Sequence, residues 1–352
     1  MKHEFWRGKR VFLTGHTGFK GGWLTLWLTK MGAEVYGYAL TPPTEPNFYT
    51  VANLSKCLAS STIADILDSD ALAQAMQAAQ PDIVLHLAAQ PLVRYSYVSP
   101  VETYAVNIMG TVKLLEAVRQ MPGVKAVVII TTDKCYESRE WVWPYRENEA
   151  LGGFDPYSSS KACSELVTAA YRRSFLEPAG KHLASARAGN VIGGGDWAAD
   201  RLVPDFLRAL DSGRALTIRS PLATRPWQHV LEPLSGYLML AEKLFIKGQS
   251  FAEAWNFGPD EADSKPVQWI VEYLCGQAPD AVWQLDASLQ PHEANILKLD
   301  SSKAKAQLDW RPRWNLQTAL GMTLAWHQAW KQGADMAEVS AQHIQKYESL
   351  RQ

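Results

Sequence analysis

Residues 10–32 read RVFLTGHTGFKGGWLTLWLTKMG. An apolar run, RVFLTG (10–15), gives way to a glycine-rich stretch, TGHTGFKG (14–21), and then to an apolar segment stopped by Gly32. The first run has the length and density of a buried strand, the last those of a helix. Between them stand Gly15, Gly18 and Gly21, evenly spaced. Glycines let a chain turn tightly and let its backbone approach a pyrophosphate. The helix that follows offers free N–H groups and a partial positive charge. Such a triplet alone says little. Placed between a first strand and a first helix, it predicts a nucleotide-cofactor turn built from Gly15, His16, Thr17, Gly18, Phe19, Lys20 and Gly21.

The alternation continues. AEVYGYAL (33–40) and SSTIADI (60–66) read as strands, ALAQAMQAAQ (71–80) as a helix and PDIVLHLAA (81–89) as a strand. A long helix over 101–121, a strand over 124–132, a helix over 158–175 and a strand over 182–191 follow. Strands this apolar, separated by helices, predict an α/β protein with a doubly wound parallel Rossmann sheet. After about residue 190 the pattern loosens, and Gly, Pro, Arg and Trp crowd into GGGDWAADRLVP (193–204) and IRSPLATRPWQHV (218–230). This predicts a nucleotide-cofactor-binding Rossmann domain over 1–186, with a segment returning to it near 225–258. Residues 187–352 are expected to form mainly a smaller C-terminal α/β substrate domain.

Bulk properties exclude several classes. The 352 residues include 35 basic and 36 acidic side chains, a net charge of -1, so no nucleic-acid partner is expected. The beginning, MKHEFWRGKR, lacks the apolar core of a signal peptide, and no run of roughly 18 apolar residues exists. A cytoplasmic protein without membrane association is expected. Cys57, Cys135, Cys163 and Cys275 form no CxxC and no metal-ligand spacing, which predicts reduced thiols and no metal site. Fourteen tryptophans are expected mostly to fill core and interfaces.

Open α/β sheets bind ligands beyond the carboxyl ends of their strands. TTDKCY (131–136) lies at such an end and sets an acid, Asp133, beside a base, Lys134. PYSSSK (156–161) places Tyr157 and Lys161 on one face of a helix. A tyrosine ionises near pH ~10. A neighbouring ammonium and a cationic nicotinamide favour its phenolate. That phenolate can take a proton from a sugar hydroxyl while hydride leaves the same carbon. Thr131 or Thr132 can hydrogen-bond this hydroxyl, and the place next to Asp133 favours Thr132. The second strand ends Tyr38-Ala39-Leu40-Thr41, with no acid for ribose hydroxyls and no arginine for a 2′-phosphate. NAD is preferred over NADP, and the missing acid implies weak retention. Asp65 either meets the adenine side or caps a helix.

TGHTGFKG, HLAAQ (86–90), Asn107 and YSSSK together resemble the extended short-chain dehydrogenase/reductase family. The resemblance adds Ile66, Leu87, Ala88, Ala89, Gln90 and Asn107 to the expected NAD contacts, with Tyr157 and Lys161. The strand-end triplet before the tyrosine motif resembles the nucleotide-sugar 4,6-dehydratases, most of which carry Thr-Asp-Glu. Lys134 in place of that Glu, with RAGNVIGGGDWAADRLVP (187–204) and TRPWQHV (224–230), is similar to those acting on CDP-glucose.

The resemblance implies oxidation at C4, loss of water across C5 and C6, and return of hydride to C6. Tyr157 would act on the C4 hydroxyl and Asp133 would protonate the departing C6 oxygen. Lys134 would take the C5 proton if neutral; if charged, it would steady the enolate or orient Asp133 and leave another group as base. Asn190 and Arg225, then Arg201 and Arg219, would hold the pyrophosphate of the nucleotide sugar. His292 and Glu293 align with a ligand-facing loop. A homodimer or higher homo-oligomer through helices 101–121 and 158–175, and deoxysugar synthesis for surface polysaccharide, are implied too. The competing readings are a 4-epimerase, which needs no acid–base pair at the strand end, a 4,6-dehydratase for another nucleotide sugar, and a dinucleotide-binding sensor. Sensors of this kind tend to lose the tyrosine or lysine.

Overall fold

The computed structural model describes residues 3–286, 288 and 295–350, so His292 and Glu293 lie outside the described residues. Its strands are β1 (Arg10–Thr14), β2 (Glu34–Ala39), β3 (Ser60–Ile63), β4 (Ile83–His86), β5 (Ala126–Ile130) and β6 (His182–Ala188). They continue with β7 (Asn190–Ile192), β8 (Leu216–Ile218), β9 (Thr224–His229), β10 (Ala254–Phe257), β11 (Ser264–Pro266) and β12 (Trp283–Leu285). Seven of them form one sheet in the order β10-β6-β5-β4-β1-β2-β3, every neighbouring pair parallel.

The sheet is apolar on both faces because alternate side chains point opposite ways. On β5, Ala126, Val128 and Ile130 enter one core while Val127 and Ile129 enter the other. The first core takes Trp23, Leu24 and Trp27 from helix Phe19–Lys30 and Leu234, Leu238 and Leu244 from helix Leu231–Lys247. The second takes Leu72 and Met76 from helix Ser69–Ala79 and Leu114, Leu115 and Val118 from helix Gly110–Gln120. Tryptophans do serve as filling: Trp6, Trp23, Trp27, Trp255, Trp310 and Trp326 are all fully buried.

The smaller unit has a three-stranded sheet, β11-β9-β7, and a two-stranded one, β12-β8. A third core lies beneath them, with Phe206 and Leu207 from helix Leu202–Asp211, Ile270 and Leu274 from helix Val267–Gln277, and Leu320 from helix Leu316–Lys331.

Several boundaries differ from the sequence reading. The strand expected over 182–191 breaks at Gly189, and β7 pairs with β9 instead of extending the large sheet. A Cβ at Gly189 would lie 2.5 Å from the Pro226 ring and 3.2 Å from Asp133 Oδ2, so the crossing point has room only for glycine. The helix expected over 101–121 is Pro100–Tyr104, a π-turn at Ala105–Met109, and then Gly110–Gln120. The segment returning to the large sheet starts with helix Leu231–Lys247, because β9 belongs to the small sheet. Helix Met336–Ser349 also packs into the first core, through Met336, Ile344 and Tyr347.

Candidate active site

The glycine turn leaves β1 at the carboxyl edge of the sheet. Gly15 has φ +77°, and a Cβ there would stand 2.8 Å from the Ala88 amide nitrogen. A Cβ at Gly21 would stand 2.0 Å from the Gly15 carbonyl oxygen. Only glycine closes this turn. Gly18 caps helix Phe19–Lys30 without a side chain, leaving the first-turn amides open to a phosphate. Thr14 holds the neighbouring strand end: its hydroxyl bonds His86 Nδ1 at 2.7 Å and accepts from the Leu87 and Ala88 amides at 3.1 Å. The turn thus fits a dinucleotide pyrophosphate.

Side chains around it divide the work. Thr17 donates to the Leu40 carbonyl at 2.8 Å, closing the end of β2 where a ribose-binding acid was sought. His16 packs over Gly37 of β2 and bonds Ser61 at 2.8 Å, and burial lowers its pKa to about 4, so it is neutral. Ile66 is buried against Gly110. Asp65 accepts from the Leu67 amide at 2.9 Å, while Asp68 caps helix Ser69–Ala79. Of the two roles weighed for Asp65, capping therefore belongs to Asp68. Asn107, in the π-turn, accepts from the Gln90 amide at 2.9 Å and donates to the Gln90 carbonyl at 3.1 Å and the Ser160 hydroxyl at 2.8 Å. Its amide group is committed to bracing the end of HLAAQ, including Ala89 and Gln90, against the tyrosine helix.

A cavity of about 270 Å³ opens beside this turn. Thr132, Asp133, Lys134 and Tyr157 line one side, and Asn190, Arg201, Arg219 and Arg225 line it from the smaller unit. Residues as far apart in the sequence as Lys20 and Val267 are brought to one place.

Tyr157 sits in the first turn of helix Pro156–Tyr171, which Asp155 caps by accepting from the Ser158 amide at 2.9 Å and the Ser158 hydroxyl at 2.6 Å. Burial pushes the Tyr157 phenol up to about 12, while a hydrogen bond with Thr132 and the charge of Arg201 pull it down. Thr132 is thus the threonine at the phenol. Thr131 instead donates to Glu165 at 2.5 Å. Lys161, one turn beyond Tyr157, is buried, which lowers its pKa to about 8 against the pull of Glu165.

Asp133 is buried, and burial raises its carboxyl pKa despite Lys134, Thr132, Arg225 and Lys20. Oδ1 accepts from Thr132 at 3.0 Å, and Oδ2 has no hydrogen-bond partner among the described residues. Burial moves such a carboxyl toward its protonated form, the direction that general-acid work needs.

Sequence reasoning missed parts of this cavity. Lys20, read as a turn residue, sends its side chain in beside Asp133 and Lys161; burial, Arg201 and Lys161 lower its pKa to about 7. Arg94 donates to Asp200 at 3.0 Å and Arg219 donates to the same oxygen at 3.2 Å. Asp196 accepts from Arg201 at 3.1 Å. No spacing rule marks Arg94; its only signal is that it follows HLAAQ closely. Buried Arg225 donates to the carbonyls of Thr224 at 3.0 Å and Asn295 at 3.3 Å.

A parallel sheet with a glycine cradle, a buried Tyr–Lys pair and a strand-end acid facing arginines defines a nucleotide-sugar enzyme of the extended short-chain dehydrogenase/reductase class. Within that class the chain belongs to the GDP-mannose 4,6 dehydratase family, whose profile matches residues 12–323. It is 56% identical over 352 residues to the CDP-glucose 4,6-dehydratase of Salmonella typhimurium, covering 98% of each chain. It is 26% identical to the dTDP-glucose 4,6-dehydratase of Escherichia coli, over 75% of this chain and 78% of the other. The fold matches that of dTDP-glucose 4,6-dehydratase from Bacillus anthracis in complex with NAD, with a TM-score of 0.76, 21% identity and coverage of 93% and 99%. It also matches Thermus thermophilus UDP-glucose 4-epimerase in complex with NAD, with a TM-score of 0.79, 24% identity and coverage of 91% and 99%.

Proposed function

We propose that the chain converts CDP-D-glucose to CDP-4-keto-6-deoxy-D-glucose, as an NAD-dependent hydro-lyase. The observation that carries this reading is the buried Asp133 acid in one cavity with Tyr157, in a chain that is 56% identical to a CDP-glucose 4,6-dehydratase. Gly15, Gly18 and Gly21 would hold NAD, which would supply hydride acceptance at C4 and its return to C6.

The chain's own residues do the rest. Tyr157 takes the C4 hydroxyl proton, with Thr132 hydrogen-bonded to it and Lys161 one turn further along the same helix. The resulting ketone acidifies C5–H. Lys134 takes that proton, and Asp133 gives its own to the departing C6 oxygen. Lys134 then returns its proton to C5 as hydride enters C6, and solvent carries the proton from Tyr157 to Asp133. Asn190, Arg201, Arg219 and Arg225 face the same cavity and hold the nucleotide diphosphate. A 4-epimerase would need Tyr157 and Lys161 but no acid in the position of Asp133, so the dehydratase reading is favoured over it.

The product is suited to deoxysugar synthesis for surface polysaccharide. A cytoplasmic setting agrees with four free cysteines and with the absence, among the described residues, of a helix long and apolar enough to cross a membrane. Self-association is part of the reading: Val101, Tyr104, Met109 and Leu166 are exposed apolar residues on the helices expected to meet a second copy.

The test is turnover of CDP-glucose with and without added NAD, with dTDP-, GDP- and UDP-glucose in parallel. The expected result is a 4-keto-6-deoxy product from CDP-glucose alone. Turnover of a different nucleotide sugar keeps the chemistry and overturns the substrate. No keto product from any of them restores the epimerase reading.

A further inference from the structure

Behind the catalytic strand end lies a buried network that the reaction above leaves unused. Glu165 of the tyrosine helix and Arg187 of β6 form an ion pair at 2.8 Å, each side chain 3% exposed. Glu165 also accepts from the hydroxyls of Thr131 at 2.5 Å and Ser185 at 2.7 Å. Arg187 donates to the Tyr136 hydroxyl at 2.8 Å and lies 4.9 Å from the centre of that ring. The Tyr136 hydroxyl in turn donates to Asn256 at 2.7 Å. The pair therefore grips TTDKCY at both ends, Thr131 and Tyr136, with Thr132, Asp133 and Lys134 between.

Stability alone does not call for such a pair. Well-packed apolar residues in place of a buried ion pair are often neutral or stabilising. Its value lies in geometry, because two hydrogen-bonded grips fix the segment more tightly than apolar contact does.

We infer that Glu165 and Arg187 are positioning residues for the reaction, clamping the segment that carries Thr132, Asp133 and Lys134 to the helix that carries Tyr157 and Lys161. The inference rests on the dehydratase reading and deepens it. Neither residue lines the cavity that holds Tyr157 and Asp133.

A second effect is electrostatic. The titratable and charged groups facing Lys161 are Glu165 of its own helix, Cys135 of the strand-end turn, Lys20 of the first helix and His86 of β4. Burial pushes the Cys135 thiol up and the His86 imidazole down, so both are neutral. Burial opposes the charge of Glu165 as well, but Arg187, Thr131 and Ser185 outweigh it and hold its pKa below the ordinary value. Glu165 is then the anion at Lys161. Without it the ammonium is lost at lower pH.

The experiment compares wild type, Glu165→Gln, Thr131→Val and the double variant Glu165→Gln/Arg187→Met. Each is assayed on CDP-glucose with added NAD across pH, unfolded in urea, and titrated at Lys161 Nζ by 15N NMR. Glu165→Gln is expected to lower kcat roughly a hundredfold, the scale of a misplaced catalytic group. KM should stay within about twofold, since no ground-state contact is removed. The alkaline limb of kcat and the Lys161 titration should both move to lower pH. Thr131→Val is expected to lower kcat about tenfold with the limb in place, since it removes one grip and no charge. The double variant, free of an unpaired buried guanidinium, should fold and keep both losses.

A folded double variant with wild-type kcat and alkaline limb overturns the inference. So does a loss of kcat that only tracks the unfolded fraction. If wild type makes no keto product, the dehydratase reading fails, and the NMR titration then decides the clamp: an unmoved Lys161 in Glu165→Gln overturns it.

Discussion

In the proposed reaction Asp133 and Lys134, which line one cavity, divide an elimination between an acid and a base, and each can be removed separately. Lys134→Ala is expected to abolish exchange of the C5 proton with deuterated solvent while C4 oxidation, followed by nicotinamide absorbance, persists. Normal exchange in that variant would take Lys134 out of the base role. Asp133→Asn keeps the shape but gives no proton to the C6 oxygen. The expected loss in overall turnover is about 10²–10⁴-fold, the usual share of general-acid catalysis, again with C4 oxidation retained. The acid works while protonated, and burial raises its pKa. Its contribution is therefore present at low pH and fades as pH rises through the raised value. These two residues were legible in the sequence because a strand end in a parallel sheet is where ligands bind. Lys20 was only half legible: glycine spacing fixes where a backbone runs, and says nothing of how far an adjacent lysine side chain reaches.

At the scale of elements, the glycine turn is fixed by contacts no side chain can share. Gly21→Ala places a methyl 2.0 Å from the Gly15 carbonyl oxygen, an atom that is backbone and cannot rotate away. The expected cost is about 1–3 kcal/mol, as for other overpacked sites, together with loss of NAD binding. Urea unfolding with and without NAD checks both: the variant should show a lower midpoint and no shift on adding NAD. A parent-like shift would mean that the turn has room to spare. The turn was readable because its function demands glycine at fixed intervals. The break at Gly189 was not, since RAGNV continues the apolar strand in composition. What ends β6 there is Pro226 of β9, which occupies the space a side chain would need. Asn107 was readable as a special position but not as a brace, because its partners, Gln90 and Ser160, come from two other segments.

The whole molecule is closed by its last helix, and that closure carries a buried charge. Glu232, at the start of helix Leu231–Lys247, is fully buried and accepts from the amides of Arg313 and Trp314 and from the Tyr347 hydroxyl at 2.7 Å. This return of the C-terminus to the first core was not legible, since one glutamate in an apolar helix does not announce its partners. Burial raises the Glu232 pKa from 4.5 to about 7, though Tyr347 and the two amides pull it down. A carboxyl with a raised folded pKa contributes stability below its unfolded value, and that contribution is lost as pH rises through the folded one. His343 and His229, in the same aromatic cluster, act the opposite way. Burial lowers both, His343 to about 4, so their contribution is lost as pH falls. The parent's stability therefore reflects opposing slopes, and a variant is needed to separate them. Glu232→Gln keeps an acceptor for the amides and removes only the carboxyl titration. Relative to the parent, this variant is expected to gain up to about 3 kcal/mol between pH ~4.5 and ~8, the linkage value of such a shift. Urea unfolding of both proteins across that range reads the difference directly. A constant gap would mean that Glu232 ionises alike in the folded and unfolded chain, and that the latch of the last helix rests on packing of Trp314 and Tyr347 rather than on a proton.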